Sequence, residues 1–252
     1  MKPASTLHGR VSPSSSDTGD RDRFLDSAGV NEAIGQLLPL AVAVTISPVL
    51  VIAGILLLFT ESPVFNGAAY LLGTVVGVGG VLAALTAVAA TQDLSAGTAG
   101  SAGVAWLRIV LGVLLLGGAV RRFRARPGPQ EEARMPSWMG GITSFHPGKS
   151  LVTGLVLGAA NPKNLAMAFS AAVSIAGADL TVGQSVASGT VFTVIAVLGV
   201  ATPLAMVVTM GERARPRLDT WKDWLRQHNS VVMSVLFLVF GVVLVGEGVR
   251  QL

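Results

Sequence analysis

Six stretches of this chain are nearly free of charge, and each is about as long as a bilayer core is thick. They lie near Ile34–Phe59, Asn66–Ala90, Val104–Val120, Ser150–Ala176, Thr181–Met210 and Val231–Val249. A helix rising 1.5 Å per residue crosses ~30 Å of hydrocarbon in ~20 residues. None of the six alternates with period two, and all are too long for barrel strands. Backbone in lipid must satisfy its own hydrogen bonds, so the runs are helices. The expected fold is all-α, a polytopic membrane protein with six transmembrane helices. Composition excludes the alternatives. Charged residues make up 13 % of the chain, against the ~25 % of a soluble domain. A hydrophobic share of 51 % is too high for a disordered chain.

Several chemistries are excluded as well. There is no cysteine, hence no disulfide, thiol relay or Cys-ligated metal. The three histidines, His8, His146 and His228, all fall outside the apolar runs. No Walker motif, His/Asp/Glu cluster for metal or serine with a nearby base occurs. The expectation is a protein that is not an enzyme and has no cofactor, no metal and no nucleic-acid partner.

Residues 1–30 are polar and read as a disordered tail, with 31–252 as the membrane domain. Two long connections, 121–149 and 211–230, are rich in Arg and Lys. Counting through six helices puts both on one side, which the positive-inside rule makes cytoplasmic. Both termini are then outside a bacterial cytoplasmic membrane. Within the second connection, Leu218, Trp221, Trp224 and Leu225 share one helical face. That pattern predicts an amphipathic helix at the lipid interface, either a plain anchor or a binder of anionic headgroups.

The fourth run holds the densest chemistry, Gly158-Ala159-Ala160-Asn161-Pro162-Lys163-Asn164. A lysine at bilayer depth costs about 2.5–3.5 kcal/mol to insert and normally faces a bundle interior or a cavity. Pro162 lacks an N–H and leaves the Gly158 carbonyl without its helical donor. Asn161 and Asn164 add amides. Ser170 and Ser174 continue the face of Lys163. A lysine here either snorkels, pairs with a carboxylate, or meets an anionic ligand. No acidic residue lies at its depth, so the ligand reading gains weight. The first run has a counterpart in Thr45-Ile46-Ser47-Pro48. Sliding the chain by 114 residues, from 48 to 162, superposes the two Pro motifs and runs two and five. Three helices per half is odd, so the halves are inverted repeats. Paired broken helices in inverted halves mark transporter binding sites. Pro203 in run five predicts a kink. Arg108, beside Trp106 in run three, is an interface anchor or a gate. Small residues four apart (Ala69, Gly73, Gly77; Gly154, Gly158) predict close helix packing.

Asn161-Pro162-Lys163-Asn164-Leu165 in the fourth of six helices, with Ile46-Ser47-Pro48 in the first, resembles the lysine exporter superfamily. Adding Thr202-Pro203 and the Trp221–Asn229 stretch makes the chain similar to the glycopeptidolipid-addressing protein (GAP) family of actinobacterial envelope proteins. That family includes the sulfolipid-addressing proteins. The resemblance covers roughly Asn31 to Arg250. The Pro-Gly-Pro typical of amino-acid exporters is replaced here by Ile46-Ser47-Pro48-Val49.

The resemblance implies export or addressing of an anionic envelope glycolipid. Lys163, Asn161 and Asn164 would then meet its headgroup. Pro162 and Pro48 would hold the broken helices, and Ser47 and Thr45 would line the facing half-site. Ser170, Ser174, Pro203 and Arg108 are secondary candidates. Partners would be membrane lipids and envelope-lipid synthesis or export machinery, and a homo-oligomer is compatible with the sequence. The alternatives are an exporter of small polar metabolites, with a closed watery cavity, and a non-transporting assembly factor.

Overall fold

The computed structural model describes residues 30–31, 33–91, 98–125, 141–142, 144–178 and 180–252. The tail expected over 1–30 falls almost entirely outside these, as do Arg126 and Arg134 of the first basic connection. Among the described residues every regular element is helical. The helices are α1 (Ala33–Thr45), α2 (Pro48–Leu57), α3 (Pro63–Thr91), α4 (Thr98–Arg124), α5 (Pro147–Ala159), α6 (Pro162–Ala176), α7 (Val182–Met210) and α8 (Arg215–Arg250). A single 3-10 turn, Gly211–Ala214, joins the last two.

Proline sets where the helices restart. Pro48, Pro147 and Pro162 each stand in the first turn of a helix, where a missing N–H costs nothing and the fixed φ is already helical. Runs one and four are therefore each two helices, α1–α2 and α5–α6. α1 and α2 are bent by 55° at Ile46-Ser47. α7 starts on a reciprocal cap. Thr181 Oγ1 accepts from Gln184 N, and Gln184 Oε1 accepts from Thr181 N. Pro203 sits buried inside a continuous α7.

Glycine contacts fix the directions of the helices. Gly73 and Gly77 of α3 press on the Leu151 and Leu155 carbonyls of α5, while Gly154 and Gly158 press on Tyr70 and Thr74. Residue numbers rise together, so α3 and α5 run parallel. On α4 and α8 the numbers run oppositely. A β-carbon at Gly112 would lie 2.8 Å from Gly241 O, and one at Gly248 would lie 2.7 Å from Ala105 O. The same holds for α3 and α7, where Gly79 meets Thr193 and Gly67 meets Leu204. Small residues let these backbones close up where lipid supplies no hydrophobic drive between helices.

Two apolar clusters fill the interior. One joins Leu37, Val44, Leu82, Met167, Phe192 and Leu244. The other joins Leu50, Ile55, Tyr70, Ile142, Val200 and Leu218. The outer surface is apolar too, with Val76, Leu114, Val194 and Val242 all more than half exposed. A soluble monomer does not display such a surface, and a lipid-facing one must. Three helical stretches are long and apolar enough to cross a membrane, Pro63–Ala90, Ala102–Arg124 and Val182–Arg250. The bent α1–α2 pair adds a fourth if it counts as one span. This is an all-helical membrane protein.

The connection expected over 211–230 is not a loop. After the 3-10 turn it is helical and continuous with the last apolar run in α8. The amphipathic helix expected here is present, and its apolar face buries Leu218 and Leu225 against α2 and α7 rather than lying on lipid. Trp221 joins that face, whereas Trp224 points outward and stacks on His228 with ring centroids 4.7 Å apart. The first basic connection is also shorter than expected, because Arg121, Arg122 and Arg124 belong to the last turn of α4 and Lys149 to α5.

Candidate functional site: two helix breaks and an adjoining cleft

The break in run one leaves carbonyls without donors. Ile46 N still reaches Val42 O at 3.1 Å, but Ser47 N turns back to Thr45 O at 2.9 Å. The Ala43 carbonyl thus loses its usual i+4 donor, and Pro48 has none to offer Val44. The replacement donor comes from 120 residues away. Lys163 Nζ donates to Ala43 O at 2.6 Å and to Ile46 O at 2.9 Å. Its side chain is fully buried. Lys163 therefore does not snorkel, and among the described residues it pairs with no carboxylate. It caps the negative end of α1, where a cation is favoured by the helix dipole. A lysine ammonium has three donors, and two are committed here.

The break in run four is organised around the same residue. Asn161 caps α6, its Oδ1 accepting from Lys163 N at 3.1 Å. Pro162 cannot serve the Gly158 carbonyl, and Asn164 Nδ2 supplies a long bond to it at 3.4 Å. The four residues Asn161–Asn164 thus repair both interruptions. Thr45 Oγ1 bonds Ala41 O at 3.1 Å and reaches Ile195 O of α7, tying the end of α1 to the second half of the chain. Tyr70 Oη donates to Leu50 O at 2.9 Å and pins α2 to α3.

Some buried polar atoms here have no protein partner among the described residues: Ser47 Oγ, Asn164 Oδ1, Ser170 Oγ and, on α7, Ser188 Oγ. Unsatisfied groups at this density are uncommon in a core and mark strain or a site of exchange. Ser170 and Ser188 lie at matching distances from the α6–α7 turn, seven residues before Gly177 and seven after Thr181. Ser188 carried no sequence signal beyond being polar in an apolar run. Ser174 is half-buried further along α6.

The structure gathers Thr45, Ser47, Pro48, Asn161, Pro162, Lys163 and Asn164 at one junction. It does not bring the other candidates there. Pro203 is two turns beyond Ile195 on α7. Arg108, buried in α4, faces Glu247 of α8, with Nε 3.8 Å from the carboxylate. That is the end of α4 remote from Arg121.

Beside the junction lies a cleft of about 790 Å³. The α5–α6 break (Ala160, Asn161, Pro162) forms one wall, and Leu111, Leu115, Met233 and Phe237 of α4 and α8 form another. Its lining includes Arg121 and Arg122 and, among the described residues, no acidic residue. Sequence reasoning missed this site because it ended the third helix at Val120. Leu111, Leu115, Gly118 and Arg122 fall at i, i+4, i+7 and i+11 and share one face of α4. Extending the helical register by one turn would have found them.

Comparison with known proteins gives one finding. The family model described as Sap, sulfolipid-1-addressing protein, matches residues 37–250. No curated protein and no solved structure matches the chain.

Proposed function

The chain belongs to the sulfolipid-1-addressing protein family, and on that footing we propose that it moves an anionic, amphipathic envelope lipid across the bacterial cytoplasmic membrane. In this reading α1–α2 and α5–α6 each count as one crossing and α7 and α8 as two. The total is six, arranged as two inverted halves of three. The helix directions support this count. α3 and α5 are parallel as the second and fourth crossings must be, and α4 and α8 antiparallel as the third and sixth must be. A slide of 114 residues takes Gly79 to Thr193, and these two positions touch. That contact is what an internal two-fold axis between α3 and α7 produces. The ends rich in Arg lie inside and both termini outside.

The observation that carries the reading is the joining of both helix breaks by one buried lysine. Interrupted helices that meet inside a membrane expose polar backbone only where it is covered by protein or lines a path. The contacts of Lys163 with Ala43 O and Ile46 O close that path at rest. An arriving phosphate, sulfate or carboxylate competes for Nζ, and the two halves separate as the exchange occurs. Asn161 and Asn164 hold the headgroup, and Ser47 faces it from the other half. The family and the apolar outer surface favour a lipid over a small polar metabolite.

The test is complementation of a deletion strain, reading envelope lipid at the cell surface by mass spectrometry. Lys163→Met is expected to abolish surface lipid while the protein remains at wild-type level in the membrane. Normal surface lipid from a well-expressed Lys163→Met protein would overturn the proposal.

A further inference from the structure

We propose that the cleft between α4, α8 and the α5–α6 break is a binding site for one anionic acyl chain, with its headgroup on Arg121 and Arg122 and its chain running toward the break. This site adjoins the Lys163 junction and shares Asn161 and Pro162 with it, but its headgroup contacts, Arg121 and Arg122, lie outside the junction. It requires only that the protein sits in a membrane and does not depend on the transport reading.

Three observations converge. The first is the distribution of polarity. The walls are Leu111, Leu114, Leu115, Val156, Leu157 and Phe237, and the polar side chains in the lining are Arg121, Arg122 and Asn161. Both arginines are exposed, and among the described residues neither is paired with a carboxylate. A cationic mouth on an apolar trough complements an amphiphile with a negative head, and guanidinium binds phosphate or sulfate in a bidentate fork.

The second is size. A volume of about 790 Å³ falls in the ~300–1,000 Å³ range of pockets that enclose one drug-sized molecule. From Arg122 to Leu111 is eleven residues of α4, or about 16 Å at the helical rise. That holds one chain and its headgroup, and it does not hold a whole multiply acylated glycolipid.

The third is access. Leu114 is 65 % exposed and Val156 51 %, so the rim on both sides faces lipid and the cleft opens sideways into the bilayer. A water-soluble metabolite would need an enclosed polar cavity. The guanidinium pair stands in the last turn of α4, and the cleft runs from there to the Ala160–Pro162 break. This is the posture of a lipid standing in the leaflet on the arginine side.

The test uses the full-length protein in nanodiscs of zwitterionic lipid. The probes are a photoreactive single-chain alkyl phosphate, its alkyl sulfate analogue and an alkyl alcohol of equal length. Peptide mapping is expected to find both anionic probes on the segments around Leu111–Leu115 and Phe237. Arg121→Gln with Arg122→Gln should lower that labelling roughly tenfold, as expected for losing a charge-assisted contact. The alcohol should label weakly and be unaffected by the substitutions. Leu114→Trp, at an exposed rim position that tolerates bulk, should block all three probes. Equal labelling by alcohol and phosphate, or anionic labelling unchanged in the double variant, would overturn the proposal and leave annular lipid only. Labelling that behaves as expected in a protein that fails to move lipid would leave this site standing and remove the transport reading.

Discussion

Two groups of cations sit within a few turns of each other and solve opposite problems. Lys163 is fully buried, and its amine is spent on two backbone carbonyls. Arg121 and Arg122 are exposed at the end of α4 and face an apolar cleft. A charge that the fold itself satisfies contributes to holding the fold together. A charge that the fold leaves at a mouth is available to a ligand. Depth in the sequence pattern does not separate these roles. Among the described residues the most buried cation is the one most committed to the protein, and the arginines that look like topology signals are the ones with donors to offer.

The largest effect should follow from reversing the charge at the junction. Lys163→Glu sets a carboxylate against the Ala43 and Ile46 carbonyls at the negative end of α1. An uncompensated buried charge costs roughly 3–5 kcal/mol or more, so the protein should fail to accumulate in the membrane. Lys163→Met keeps the length and removes the donors. Two carbonyls then lack partners, at about 1–3 kcal/mol each, and membrane hydrogen bonds fall toward the lower figure. For a chain of this size that corresponds to a melting temperature lower by several degrees, at ~2–4 °C per kcal/mol, read by thermal unfolding in detergent. A Lys163→Met protein as stable as wild type would mean that Nζ contributes nothing to the fold, and the contrast with the arginines would collapse.

A smaller loss is expected one residue further on. Asn164→Ala removes the amide that reaches the Gly158 carbonyl. That bond is long, 3.4 Å, and its loss should cost about 0.5–1 kcal/mol. The same unfolding measurement applies. A loss as large as that of Lys163→Met would mean that the two breaks are held equally and that no single residue joins them.

The sequence carried the framework further than the junction. Runs of the right length gave helices, and Pro48 and Pro162 located both interruptions, because a missing N–H acts locally and needs no knowledge of the fold. Glycines at four-residue spacing announced close helix packing for a similar reason, although which helices meet, α3 and α5, comes only from the structure. The partner of Lys163 was not legible. Reasoning from side-chain charge looked for a carboxylate or an anion, whereas the acceptors are main-chain oxygens orphaned 120 residues away by a different proline. Backbone groups carry no letter in the sequence, so only the bend between α1 and α2 discloses them. The amphipathic part of 215–230 was legible from Leu218, Trp221 and Leu225, but its continuity with the last apolar run was not, since Arg and Lys mark loop and helix end alike. The cleft was hidden by a boundary placed one turn short.

The smallest expected effect is the one that separates the two regions most sharply. Arg121→Gln with Arg122→Gln alters exposed side chains in the last turn of α4 that make no ion pair among the described residues. Exposed substitutions away from caps and networks stay within about ±0.5 kcal/mol. These arginines do favour the helix C-terminus through the dipole, and that is worth a further few tenths of a kcal/mol at an exposed site. The melting temperature should therefore move by no more than a degree or two, downward, and the shift should shrink as salt is raised, because screening weakens an exposed charge and spares a buried one. The Lys163→Met loss should persist at the same salt. A double variant that melts as early as Lys163→Met would mean that the arginines are tied into the fold, and the cleft would lose its headgroup site. A salt-insensitive, near-zero change would leave them with nothing to hold but a ligand.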